Sequence, residues 1–160
     1  MLSAAHQAAL RIIHDRLAGS DIIWALTGSA SFALQGVPVE VHDIDLQTDS
    51  AGAYDVARHL SEYVTRPVVF ASTETVRSHF GGLHIGIVAV DIIGDIEKRL
   101  PDGTWDSPPD IAHWRRWITV EERQIPVLAL VYEVEAYRKM GRQERANFLH
   151  DFLRRRGTSG

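Results

Sequence analysis

The chain has 160 residues, 45% hydrophobic and 24% charged, with 17 basic against 21 acidic side chains and a net charge of −4. These values exclude a mainly disordered chain, a collagen-like or low-complexity fibre and a whole-molecule polyanion binder. The length allows one domain, expected over residues 1–160 with its core at about 20–150, and the absence of cysteine excludes disulfides, zinc–thiolate and iron–sulfur sites and thiol nucleophiles.

In chain order, Ala5, Ala9, Ile12, Ile13 and Leu17 follow helical spacing, and Gly19 closes that helix. Arg11, His14 and Asp15 interrupt its apolar positions, so no signal peptide is expected. Residues 22–26, with Trp24, read as a buried strand, followed at once by Thr27-Gly28-Ser29. Residues 30–34 favour a short helix ended by Gly36 and Pro38. Residues 41–48 read as a strand bearing Asp43 and Asp45. Asp49-Ser50 offers an N-cap for a helix over 53–63, and 67–70 is a further strand. Residues 77–93 read as two strands turning near Gly86, with Gly81-Gly82 as the alternative turn. Pro101-Asp102-Gly103 and Pro108-Pro109 mark loops, and 114–120 with 124–128 form a hairpin turning at 121–123. From Val131 the pattern is helical, with a break at Gly141. Helices and hairpins interspersed in this way predict an α+β fold, a mixed sheet with helices packed on it rather than a doubly wound parallel sheet. The most apolar run, 83–93, is broken by Asp91 and falls short of the roughly 20 residues a bilayer requires, so a cytoplasmic, membrane-free protein is expected.

Charge is unevenly placed. Residues 1–137 carry 10 bases and 19 acids, a charge of −9, whereas 138–160 carry 7 bases and 2 acids, a charge of +5. One reading is a solvated helix face; another is that Arg138, Lys139 or Arg142 faces an anion held over the acidic body. Residues 154–160 are expected to form a mobile tail.

Three features carry chemistry. A glycine between a strand and a helix, as at Gly28-Ser29, lets the backbone turn tightly and approach a ligand, where phosphate is favoured. The plain alternative is a strand-to-helix turn with Ser29 as N-cap. Asp43 follows Ser29 after 13 intervening residues, and Asp43 and Asp45, two apart, share one face of a strand. Two adjacent carboxylates repel, and a divalent cation such as Mg²⁺ offsets the repulsion; two hydrated acids at a solvent-facing strand end are the alternative. Asp91 lies within the most apolar stretch, where an unpaired carboxylate costs several kcal/mol, so it requires a cation, a hydrogen-bond network or a wet cleft. Three carboxylates on neighbouring strands beside a glycine turn suit phosphoryl or nucleotidyl transfer.

The combination of Gly28-Ser29, Asp43-Ile44-Asp45 and Asp91 resembles the DNA polymerase β-like nucleotidyltransferase superfamily, in its small single-domain bacterial branch. The resemblance implies that Gly28 and Ser29 contact the phosphates of a nucleoside triphosphate, ATP among them, with the base preference open. It implies that Asp43, Asp45 and Asp91 are catalytic and bind Mg²⁺, with Mn²⁺ as a substitute. A nucleoside monophosphate then passes to a hydroxyl acceptor, a small molecule, RNA or protein, with release of pyrophosphate. Lys139 and Arg142 are the candidates to meet phosphate charge. Related small members often carry a lysine and an aspartate where this chain has Tyr137 and Arg145. That departure motivates the alternative of a non-catalytic nucleotide-binding or toxin–antitoxin-type regulatory module.

Other candidates read as structural. His79 and His84 are expected on opposite sides of strands, and His42 is expected to point away from the carboxylates. Trp105, Trp114 and Trp117 read as packing residues. Ser29 lacks a Gly-x-Ser-x-Gly elbow, and Gln47 stands where an Asp-based phosphatase would want Thr or Val.

Overall fold

The computed structural model describes residues 2–157. Its elements run α1 (Ala4–Leu17), β1 (Trp24–Thr27), α2 (Gly28–Leu34), β2 (Ile44–Thr48), α3 (Ser50–His59) and a 3₁₀ turn (Ser61–Tyr63). They continue through β3 (Val64–Ser72), β4 (Val76–Ile85), β5 (Val88–Lys98), α4 (Ile111–Trp114), β6 (Arg115–Val120), β7 (Arg123–Leu128), α5 (Leu130–Lys139) and α6 (Gln143–Arg156). The strands form one seven-stranded sheet in the order β3-β4-β5-β2-β1-β7-β6. The β1–β7 and β2–β5 pairs are parallel and the others antiparallel, so the fold is α+β with a mixed sheet.

Helix α1 starts where the Ser3 hydroxyl accepts the His6 N–H at 3.2 Å, and it buries Ala9, Leu10, Ile13 and Leu17 as one stripe. Helix α3 is capped by Asp49, whose carboxylate accepts the Gly52 N–H at 2.6 Å. Alternation on β2 sends Ile44 and Leu46 into this core with Leu26, Val90, Ile92, Ala53 and Val56, and turns Asp45 to the opposite face. Each fully buried leucine or isoleucine contributes about 1.5–3 kcal/mol. A second cluster, including Phe32, Val37, Leu130, Val134, Leu149 and Leu153, ties α2, α5 and α6 together.

Several expectations change. β2 begins only at Ile44, so Asp43 lies in the bend before the strand rather than on it. The turn falls at Gly86-Ile87 as expected, and Gly81 and Gly82, the alternative turn, sit inside β4. A Cβ on Gly81 would meet Val68, and one on Gly82 would meet the Arg66 guanidinium, so these glycines serve close cross-strand approach. β5 runs past Asp95, a left-handed residue (φ 49°) whose carboxylate accepts the Ser50 N–H at 2.9 Å. Arg154, Arg155 and Arg156, expected in a tail, form the last turn of α6 instead. Gly157 closes that helix in the left-handed region, and the Arg156 guanidinium donates to the Gln35 carbonyl at 2.6 Å. Residues 158–160 of the expected tail lie outside the described residues.

Candidate active site

The parallel pairing of β2 with β5 sets Asp45 directly beside Asp91. Both alternate with core residues, Ile44 and Leu46 on one strand and Val90 and Ile92 on the other, so both carboxylates emerge on the same face. A cavity of about 680 Å³ opens there, and Asp43, Asp45, Asp91, Gly28, Ser29 and Arg142 all line it.

Gly28 follows β1 without a connecting loop and has φ 73°, a conformation that favours glycine. A Cβ at this position would collide with the Asp45 carboxylate, so the missing side chain lets the turn lie against that acid. The Ser29 hydroxyl does not cap α2; it accepts the His42 N–H at 3.0 Å and so holds the bend that carries Asp43. His42 lines the cavity rather than pointing away, because the regular strand has not yet begun.

Burial raises Asp45 to about 7, aided by the nearby charges of Asp91 and Asp43. Burial also raises Asp91, against the opposing pull of Arg66. That guanidinium crosses from β3 over Gly82 and donates to Asp91 Oδ1 at 2.9 Å, while packing 5.0 Å from the Phe80 ring centroid. Among the described residues no three His, Asp or Glu side chains are preset in ligand geometry. Asp91 accepts from Arg66 while its carboxyl also lies against that of Asp45. The donor set of carboxylate oxygens still suits a hard cation, whose charge would relieve the repulsion that raises Asp45.

Arg142 and Arg145 stand at the start of α6 on the cavity wall, and neither makes a salt bridge among the described residues. Arg145 lies 5.9 Å from the Tyr137 ring centroid, and Tyr137 meets Phe32 edge-on at 6.3 Å. Lys139, expected to meet phosphate charge, does not line this cavity. It occupies a different face of α5, binds Asp106 at 3.1 Å and lines a separate cavity of about 370 Å³. Three contributors escaped the sequence reading. Arg145 stands out in the sequence only as a departure from related members, and neither Arg66 nor Glu133 carries a local signal that singles it out. Glu133 is 5% exposed, accepts the Thr27 hydroxyl at 2.5 Å and is raised to about 7, mainly by burial.

The family model described as aminoglycoside-2″-adenylyltransferase matches residues 9–154. A crystal structure from Thermotoga maritima, described as a candidate nucleotidyltransferase, is 50% identical and covers 97% of this chain and 96% of its own, with a TM-score of 0.85. The lincosamide antibiotic adenylyltransferase LnuA with bound lincomycin is 17% identical, with 80% and 83% of the two chains covered and a TM-score of 0.54. ANT(2″)-Ia in complex with adenylyl-2″-tobramycin is 12% identical, with 95% and 98% covered and a TM-score of 0.52. The last two share the fold. No curated protein matches the chain.

Proposed function

The chain belongs to the aminoglycoside-2″-adenylyltransferase family of nucleotidyltransferases, and from that premise we propose that it transfers a nucleoside monophosphate, AMP from ATP, to a hydroxyl of a small acceptor. One observation carries this reading: Asp45 and Asp91 stand side by side on parallel strands and share their cavity with the turn at Gly28.

Asp43, Asp45 and Asp91 would hold Mg²⁺, or Mn²⁺ in its place. Carboxylate oxygens suit either ion, and a cation would offset both the burial of Asp45 and the charges of Asp91 and Asp43 beside it. The bound cation supplies charge neutralisation for the triphosphate and the departing pyrophosphate. The bare Gly28 backbone admits the polyphosphate close to Asp45. Arg142 and Arg145 offer guanidinium donors to phosphate oxygens. The acceptor oxygen bonds to the α-phosphorus as the bond to the β-phosphate oxygen breaks, and Asp91 takes the hydroxyl proton. Glu40 and Glu144 add carboxylates to the cavity wall, which favours an acceptor bearing amines as well as hydroxyls. The structural relatives bear lincomycin and adenylylated tobramycin, both small molecules, and this supports a small acceptor.

The test is pyrophosphate release from ATP and other triphosphates with Mg²⁺ or Mn²⁺ and a panel of aminoglycosides and lincosamides. Asp45→Asn is expected to lower the rate by about a hundredfold or more. Equal release by wild type and Asp45→Asn would remove the site. Tight triphosphate binding without turnover on any acceptor would favour the regulatory module.

A further inference from the structure

Next to the glycine turn, and not among the residues that line the cavity, lies a polar group that the reaction does not touch. Glu133 projects from α5 and is 5% exposed. Its carboxylate accepts the hydroxyl of Thr27, the last residue of β1, at 2.5 Å. The Gly28 N–H also favours its charged form, as does the nearby Lys98, itself only 7% exposed. A buried carboxylate is expensive unless it is hydrogen-bonded and compensated, and here its partner is the residue just before the glycine. Gly28 itself lies against Asp45, with no side chain of its own to hold that acid off. Thr27 is also in register with Asp45 across the β1–β2 pair.

We propose that Glu133 is a positioning residue, which through the Thr27 hydroxyl sets the distance between the glycine turn and Asp45 and so shapes the grip on the β- and γ-phosphates. The inference rests on the reading that this turn meets the triphosphate. Since the turn is read as meeting only the β- and γ-phosphates, loosening it is expected to spare the rest of the nucleotide. The loss therefore falls on triphosphate affinity and leaves monophosphate affinity in place, a discrimination that a merely structural residue would not produce.

Calorimetric affinities for ATP and AMP, each with Mg²⁺, are compared in wild type, Thr27→Val, Thr27→Ser and Glu133→Gln, with a thermal melt of each. Thr27→Val is expected to weaken ATP about tenfold and AMP less than about twofold. Thr27→Ser, which keeps the donor, is expected to retain the wild-type ratio. Glu133→Gln keeps an acceptor but loses its charge, and is expected to weaken ATP about threefold to tenfold with a melt close to wild type. If Thr27→Val does not fold, Glu133→Gln carries the same comparison. An unchanged ATP-to-AMP ratio in the folded variants overturns the inference while wild type still prefers ATP. A wild type without that preference overturns the reading of the cavity, and the inference with it.

Discussion

Asp45 is the most electrostatically stressed of the cavity acids. Burial and two neighbouring acids push it up to about 7, and burial, with a smaller push from Asp45, does the same to Glu133 against the pull of Thr27 and Lys98. A carboxyl whose folded value lies above its unfolded one contributes stability below the unfolded value, near pH 4, and that contribution disappears as pH rises through 7. Cation-free protein is therefore expected to lose about 3 kcal/mol or more of unfolding free energy between pH 5 and pH 8, measured by urea titration. Glu133→Gln flattens part of that slope, and Asp45→Asn flattens another part while removing turnover. A flat profile in wild type would contradict the burial of both acids.

At the scale of elements, the β6–β7 hairpin turns through Glu121 and Glu122, both left-handed at φ 50° and 68°. Two-residue hairpin turns of this kind prefer Asn-Gly, and a side chain in the left-handed region costs about 1–2 kcal/mol. Glu122→Gly is expected to raise the unfolding free energy by about 0.5–1 kcal/mol once the greater entropy of glycine is counted, read as a higher urea midpoint. Glu121 is best kept, since it accepts a bond from Arg11 at 3.1 Å. The hairpin was legible because a short polar turn separated two apolar runs. The Gly81-Gly82 pair was not, because glycine signals a turn and a crowded strand alike. Its role depends on Val68 and Arg66 from β3, which the local sequence does not reveal as neighbours.

Across the whole molecule, the basic C-terminal segment folds back so that Arg142 and Arg145 face the acidic cavity of a chain whose first 137 residues carry −9. The cluster that anchors α6 is small, and Leu153 is 8% exposed within it. Leu153→Ala is expected to cost about 2–4 kcal/mol in denaturant unfolding and to weaken triphosphate binding, since α6 carries both arginines. A loss of stability with unchanged triphosphate affinity would separate α6 from the site. Among the described residues no helix is long and apolar enough to cross a membrane.

The sequence by itself determined the alternating faces. Period two placed Asp45 opposite Ile44 and Leu46, and it placed Asp91 opposite Val90 and Ile92, so each acid had to leave the core. It also determined the tight turn at Gly28, since a strand running directly into a helix there calls for a residue at ease with positive φ. Only the tertiary structure decided that β2 and β5 pair in parallel with Asp45 beside Asp91, that Arg66 reaches the third acid and Lys139 does not face the cavity, and that Glu133 lies beneath the turn. Those contacts join residues far apart in the chain. Strand order and helix docking create them, and no local pattern of side chains encodes either one.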